Sequence, residues 1–342
     1  MSELTDVLDA IDERASRHEP MALATIVSTR GSTYRRAGAR LLVPAEGEPI
    51  GNISGGCLEG DVARIGREVM ASGLARTVEF DLTAEDDAVW GYGLGCNGAI
   101  ELFVEPTAGA VGSALALRAA LAGEPTVLAT VISGPRTGAR WSGTDGAAAA
   151  ALRVGTPRVV EETDERVFLE PMLPPMRLIV CAAGHDAIPL VRQAAELGWQ
   201  VTVADVRRTL LTHHRFPGAH DFCDADPERA AGATRPDERT AVVLMSHNYL
   251  RDIGYLGSFL DVPLAYLGVL GPRGRTEQML AQIERPEAID RLHAPAGLDI
   301  GAEGPEEVAR AIVAEILAVT RRRGGGPLRE RRGPIHEAQP PM

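Results

Sequence analysis

Hydrophobic and polar positions recur along the chain with two different periods. Leu4, Val7, Leu8 and Ile11 follow Ser2 at helical spacing, which predicts an opening amphipathic helix with a serine cap. Short apolar runs bounded by Gly, Pro and Arg then predict strands over "ALATIVST", "RLLV", "TVEFDLT", "AIELFVEP" and "TVLATVIS", with a helix over "SALALRAALAG". Residues 134–165 are rich in Gly, Ala and Thr, and we predict irregular structure there.

The pattern changes after "PMLPPM", residues 171–176, where adjacent prolines oppose both helix and central strand. The next thirty or so residues alternate strand, glycine turn, helix and strand, as in a βαβ unit. We therefore predict an α/β protein with an N-terminal mixed α/β domain followed by a Rossmann-like parallel-sheet domain. The predicted boundaries are 1–170 for the first domain, 171–176 for a linker, 177–320 for the second domain and 321–342 for a flexible tail. No internal repeat of fixed period is visible.

Composition narrows the classes of function. A net charge of -12 argues against a broad surface for nucleic acid or an anionic membrane. No apolar run is long enough to cross a bilayer and the first residues are too acidic for a signal peptide, so we expect a cytoplasmic protein. All 35 basic residues are arginine. Without lysine there is no Walker A loop, no pyridoxal Schiff base and no lysine general base.

The four cysteines are scattered and match neither a disulfide framework nor a zinc motif, so we expect thiols. Cys57 lies in the glycine turn "GNISGGCLEG", where a predicted strand meets a predicted helix. Backbone N–H groups at a helix start favour anions and lower a thiol pKa. Cys96 lies in a second glycine turn, "GLGCNG". The predicted roles of Cys181 and Cys223 are structural.

The turn after the first strand of the second domain resembles a dinucleotide fingerprint, but Ala182 replaces its first glycine. Gly184 occupies a later glycine position of the fingerprint. Asp205 follows the next predicted strand, at the position where an acid contacts ribose in NAD-binding proteins. We predict that NAD(P) binds weakly or not at all. His185 and His247 each follow a predicted strand. In parallel sheets, ligands bind at the edge formed by the carboxyl ends of the strands. Lone histidines, however, are more often structural.

Several motifs occur in order along essentially the whole chain. They are "GSTYRRAGARLLV", "GNISGGCLEGDV", "GLGCNGAIELFVEP", "AAGH", "VLMSHNYLRD", "AYLGVLGPRGRTEQML", "HAPAGLDIGAEGPEEVARAIVAEI" and "LRERRGPIH". Together they resemble the XdhC/CoxI family, the maturation factors of molybdenum hydroxylases such as xanthine dehydrogenase. The family usually has Gly-Ala-Gly-His where this chain has Ala182 at the first position.

The resemblance implies a chaperone that binds molybdenum cofactor (molybdopterin). Such a chaperone protects the cofactor while a cysteine desulfurase replaces an oxo ligand by a sulfido ligand, and helps to insert it into a xanthine dehydrogenase-type molybdenum hydroxylase. Cys57 would then bind the metal or carry sulfur, with Cys96 as a second candidate. Glycines would let the pterin approach the backbone, and arginines would bind its phosphate. The candidates for these two roles are Gly55, Gly56, Arg30, Arg35, Arg36 and Arg40.

Two other functions stay open at this point. One is an NAD(P)-dependent oxidoreductase that uses Gly184, Asp205 and a histidine, His185 or His247, in the second domain. The other is a structural or regulatory subunit that docks on a dehydrogenase without contacting its cofactor. We expect an accessory protein rather than a catalyst, and we expect a homodimer. The predicted role of Glu59 is to cap the helix that follows the glycine turn.

Overall fold

The computed structural model describes residues 3–81 and 98–332. They form two compact units that divide between Pro174 and Pro175. The last strand of the first unit runs to Met172, two residues into the segment predicted as a linker. At Pro171 this strand has a paired neighbour on one side only, which is where a strand tolerates proline.

The first unit contains nine strands and four helices within its described residues. One five-stranded antiparallel sheet has the order β3-β2-β1-β5-β4, and a four-stranded one has the order β7-β6-β9-β8. The elements are α1 (Glu3–Ser16), β1 (Met21–Gly31), β2 (Arg40–Pro44), β3 (Ile50–Gly51), α2 (Glu59–Ser72), β4 (Arg76–Asp81), β5 (Gly98–Glu105), α3 (Thr107–Ala122), β6 (Thr126–Ser133), β7 (Arg140–Gly143), α4 (Gly146–Val154), β8 (Arg158–Glu162) and β9 (Glu165–Met172).

The helical spacing predicts the buried faces correctly. Val7, Leu8 and Ile11 of α1 are buried on one side of the first sheet, and the apolar stripe of α2 is buried on the other. Gly73 ends α2 in a left-handed conformation, φ 69°, and donates its N–H to the Val69 carbonyl.

The prediction of irregular structure for residues 134–165 is wrong. This segment forms β7, α4 and β8. The apolar pattern of α4 is hidden because its first turns are a run of alanines, of which Ala151 is buried. The short strands β7 and β8 lie at the edges of the sheet, where a period-two pattern is weak.

The second unit is the predicted Rossmann-like domain. Its parallel sheet has the order β12-β11-β10-β13-β14, with apolar clusters on both faces. The elements are β10 (Arg177–Cys181), α5 (Ala187–Glu196), β11 (Gln200–Ala204), β12 (Asp221–Cys223), α6 (Ala230–Thr234), β13 (Thr240–Leu244), α7 (Tyr249–Phe259), β14 (Tyr266–Val269), α8 (Arg273–Gln282) and α9 (Pro305–Thr320). Across the described part of the chain, no helix combines the length and apolar character needed to span a membrane.

Candidate functional site

Cys57 lies in the glycine turn between β3 and α2, as the sequence predicts. Gly55 and Gly56 have backbone φ values of 81° and 111°, a region that residues with a Cβ atom rarely adopt. The thiol is free and half-buried, and it packs against the apolar cluster under α2. A Cβ added to Gly56 would meet no other atom within 4 Å, so the turn is open to solvent at this position.

The carboxylate of Glu59 holds this turn together. Oε1 accepts from the backbone N–H groups of Ile53 and Ser54, and Oε2 accepts from those of Gly56 and Leu58, all within 3.2 Å. The Ser54 hydroxyl also donates to Oε2. Burial alone would raise the pKa of Glu59, but these hydrogen bonds outweigh it and lower the pKa below its usual value.

Glu59 thus holds the turn before α2 and does not cap the helix, which has no side-chain cap, and this corrects the expectation. The backbone N–H groups of Ser54, Gly56 and Leu58 already donate to Glu59 and are therefore not available to a ligand. The carboxylate supplies the negative charge that the start of α2 favours.

The loop between β1 and β2 lies against the glycine turn. The Tyr34 ring packs over Gly55, where an added Cβ would lie 3.2 Å from the ring, and the tyrosine is 64% exposed. The end of β1 and the start of this loop also contact the first residue of β5. A Cβ on Gly98 would lie 2.5 Å from the Arg30 carbonyl oxygen and 2.7 Å from that of Ser32. The loop and the turn thus meet at one end of the first sheet.

The four candidate arginines do not form one cluster. Arg30 is exposed and pairs with Glu79, and Arg35 donates to Glu3 at 2.6 Å. Arg36 is exposed. Arg40 is 6% exposed, donates to the Gly38 carbonyl at 2.6 Å and forms a double hydrogen bond with Glu170. Its predicted contact with phosphate is wrong for this structure, because the guanidinium is in the core.

The remaining cysteines differ in their surroundings. Cys96 lies outside the described residues. Cys181 is buried in β10, and burial raises the pKa of its thiol. Cys223 is half-buried at the end of β12. Within residues 3–81 and 98–332, no three His, Cys, Asp or Glu side chains are grouped to bind a metal.

Asp205 stands where a Rossmann domain contacts ribose, but its carboxylate already has protein partners. It accepts from the Ala183 N–H at 2.8 Å and from both the backbone and the guanidinium of Arg207, at 2.6 to 2.9 Å. Burial acts to raise the pKa of Asp205, and the hydrogen bonds from Arg207 and Ala183 outweigh it and lower the pKa. The acid therefore anchors the turn that contains Ala182 and Gly184.

His247 bridges two loops at the edge of the parallel sheet where the strands have their carboxyl ends. Its Nε2 lies 2.8 Å from Oδ2 of Asp186, which joins the turn after β10 to the turn after β13. The two strands are neighbours in the sheet, and His247 has a φ of 55°, an uncommon value for a side chain with a Cβ. His185 is exposed beside this contact, and Gly184 has open space at its Cβ position.

The sequence interpretation missed a buried carboxylate near this edge. Asp252 in α7 is 1% exposed and accepts from the Ser246 hydroxyl at 2.5 Å and from Arg275 at 2.6 Å. Asn248, which caps α7 by accepting from the Arg251 N–H, is the sequence signal that places Asp252 in the first turn. Arg275 follows β14 in "GPRGR", far away in sequence.

Comparisons with known proteins agree with the motifs. The model of the XdhC and CoxI family matches residues 15–81, and that of the XdhC Rossmann domain matches residues 178–316. A protein of Bacillus subtilis (strain 168), described as a probable subunit of xanthine dehydrogenase, is 32% identical over 337 residues, which cover 94% of this chain and 99% of that protein. The molybdenum cofactor insertion chaperone PaoD of Escherichia coli (strain K12) is 23% identical over 308 residues, 87% of this chain and 82% of that protein.

A solved structure shows the same fold over nearly the whole chain. The crystal structure of a xanthine dehydrogenase from Bacillus halodurans is 30% identical in sequence and has a TM-score of 0.74. The match covers 93% of this chain and 96% of that one. The resemblance stated from the motifs is thus confirmed, and the chain belongs to the XdhC and CoxI family.

Proposed function

We propose that the protein is an accessory factor that binds molybdenum cofactor and delivers it to a molybdenum hydroxylase of the xanthine dehydrogenase type. Family membership supports this proposal, together with one relative described as a molybdenum cofactor insertion chaperone and another described as part of a xanthine dehydrogenase. We further propose that a cysteine desulfurase supplies the sulfido ligand while the cofactor is bound, and that the protein acts as a homodimer.

The observation that carries the proposal is the placement of Cys57. Its thiol lies in a turn fixed by four backbone hydrogen bonds and one Ser54 hydroxyl hydrogen bond to Glu59, and by two glycines with positive φ. A structural cysteine needs no such turn, whereas a soft sulfur donor for molybdenum has to be presented in a fixed position. The half-buried thiol is protected from bulk solvent but remains next to the open side of Gly56.

The surroundings of the turn suit a flat, anionic ligand. The exposed Tyr34 ring offers a surface for stacking, as aromatic side chains do for planar heterocycles. Arg30 at the end of β1 and Arg36 on the loop that follows are exposed and are candidates for the phosphate, while Arg40 is buried in the core. Cys96 remains a proposed second thiol.

The oxidoreductase alternative has less support. Asp205 is occupied by Arg207 and by the Ala183 N–H, and Asp186 and His247 bind one another across the crevice where a dinucleotide would lie. The alternative of a docking subunit predicts that the protein contacts its client without binding the cofactor, and the same experiment distinguishes it from our proposal.

That experiment is equilibrium dialysis of the purified protein against molybdopterin, followed by pterin fluorescence and metal analysis. We expect saturable retention at about micromolar concentrations, which corresponds to a binding free energy of about -8 kcal/mol. Protein that retains no pterin well above this range would contradict our proposal and favour the docking role.

A further inference from the structure

The first unit contains the same five-element arrangement twice. β1-β2-α2-β4-β5 forms the first copy and β6-β7-α4-β8-β9 forms the second, and the corresponding strands have the same order in their sheets, β2-β1-β5-β4 and β7-β6-β9-β8. Three short sequences recur at equivalent places. They are "LATIVS" (23–28) with "LATVIS" (128–133), "GAR" (38–40) with "GAR" (138–140), and "FVEP" (103–106) with "FLEP" (168–171).

Strand register and turn geometry are the same in both copies. Leu23 pairs with Glu105 and Leu128 with Glu170, and each ladder shifts its register just before the serine that ends the shared motif. The hairpins also match, because the N–H groups of Ala39 and Ala139 donate to the carbonyls of Arg36 and Arg136. Both connecting helices end at a left-handed glycine, Gly73 and Gly155.

The two copies contact one another as the halves of a twofold-symmetric dimer do. Glu101 and Arg166 occupy equivalent register positions, opposite Ser28 and Ser133, and they bind one another through two hydrogen bonds of 2.6 and 2.8 Å. Contact between equivalent residues is characteristic of positions near a twofold axis. The apolar cluster beside it has two equivalent pairs, Val27 with Ile132 and Phe103 with Phe168.

Two buried ion pairs are exchanged between the copies. Arg40 of the first copy binds Glu170 of the second, and Arg140 of the second binds Glu105 of the first. Each arginine also donates Nη1 to the glycine carbonyl two residues before it, at 2.6 and 2.8 Å. This reciprocal pairing is what an isologous interface requires.

Two connections between elements are longer in the first copy than the equivalent connections in the second copy. The hairpin runs from Ser28 to Gly38 in the first copy, but only from Ser133 to Gly138 in the second. The path from the hairpin arginine to the helix runs from Arg40 to Glu59, against Arg140 to Gly146. The extra residues of the first copy include Tyr34 and the turn that holds Cys57.

We propose that the first unit is an internally duplicated module with pseudo-twofold symmetry, and that its ligand surface is built only from the additions to the first copy. These additions are the segment 29–37, which is the last three residues of β1 and the loop after it, and the turn 52–58, whose contact is the Tyr34 ring over Gly55. The second copy, which lacks both, is a scaffold that holds the first through the exchanged ion pairs. The ligand assignment rests on the proposed function, whereas the duplication stands on the contacts and the sequence matches.

The test replaces residues 29–37 by Gly-Pro-Arg-Thr, the sequence that connects Ser133 to Gly138 in the second copy. The replacement also removes the last three residues of β1, which pair with β5. Because the second copy forms its hairpin without such an extension, we expect the variant to fold with a cooperative melt. We expect it to bind molybdopterin at least about tenfold more weakly in equilibrium dialysis. A folded variant that binds with unchanged affinity would overturn the ligand assignment.

A pair of point variants decides the question if the shortened loop does not fold. Tyr34→Leu removes the exposed ring of the first copy, and Trp141→Leu removes an exposed ring from β7 of the second. We expect Tyr34→Leu to weaken pterin binding and Trp141→Leu to leave it unchanged. Equal effects of the two variants would contradict the inference, while an unmodified protein that binds no pterin would overturn the proposed function and the ligand assignment with it.

Discussion

Oε1 of Glu59 lies 2.9 Å from the backbone nitrogen of Ser54, and this contact closes the glycine turn onto the first residue of α2. Three further backbone N–H groups, on both sides of Cys57, and the Ser54 hydroxyl donate to the same carboxylate. The position of the thiol therefore depends on a side chain two residues away. This dependence can be tested separately from ligand binding.

Glu59→Gln should destabilise the protein by about 1–2 kcal/mol at pH 7, since a neutral amide accepts these hydrogen bonds less strongly than a carboxylate. The pKa of Glu59 is lowered in the folded state, so its contribution is present above the usual value of 4.5 and is lost as the pH falls through the folded pKa. The difference between the two proteins should therefore shrink below about pH 4. Urea unfolding of both at pH 7 and in acid measures it, and a difference that grows in acid would be inconsistent with this role.

Gly56→Ala should cost about 1–3 kcal/mol, because φ is 111° and the open space around the residue cannot relieve backbone strain. Gly60→Ala is the matched control. Gly60 also has open space at its Cβ position but lies inside α2, where alanine should stabilise by about 0.5–1 kcal/mol. Thermal melts of the two variants should move in opposite directions, and a shared direction would argue against strain at Gly56.

Arg40→Leu should destabilise the protein by about 3–5 kcal/mol, because it leaves the Glu170 carboxylate buried without its partner. Arg118→Leu removes an exposed arginine that pairs with Asp9 and Asp12, and it should cost about 1 kcal/mol or less. Denaturant unfolding compares the two. If Arg40→Leu unfolds no more readily than Arg118→Leu, the exchanged ion pairs do not hold the copies together.

The contrast between Arg40 and Glu59 shows which features of the structure can be predicted from the sequence. Short-range patterns locate most strands and helices and the cysteine turn, but they miss β7, α4 and β8 and assign Glu59 to a helix cap when it holds the preceding turn. They do not show that Arg40 binds a glutamate 130 residues away, since that contact depends on how two sheets pack. The duplication is also hidden, because connections of different length destroy any fixed period.

The same limit applies in the second unit. The sequence places Asp205 at the end of β11, and the structure agrees. It does not reveal that Arg207, two residues later, turns back onto that carboxylate. Likewise, the contact between Asp186 and His247 joins two loops that are distant in sequence but adjacent because β10 and β13 pair.

Asp205→Asn should lower stability by about 1–3 kcal/mol, since Asp205 anchors Ala183 and Arg207. Isothermal calorimetry of the unmodified protein with NAD or NADP should show no saturation at low micromolar concentration, because the ribose-binding acid already has partners. Clear saturation, abolished by Asp205→Asn in a folded protein, would mean that the second unit binds a dinucleotide after all.

The central claim concerns Cys57, and the most direct measurement is the activity of a client molybdenum hydroxylase in cells that lack their own accessory factor. Cys57→Ser should leave folding nearly intact, since the thiol is only half-buried, but it should abolish rescue because serine offers a harder donor and cannot form a persulfide. Cys223→Ser, also half-buried, should rescue fully and controls for the loss of a thiol. Full rescue by a folded Cys57→Ser protein would contradict the account.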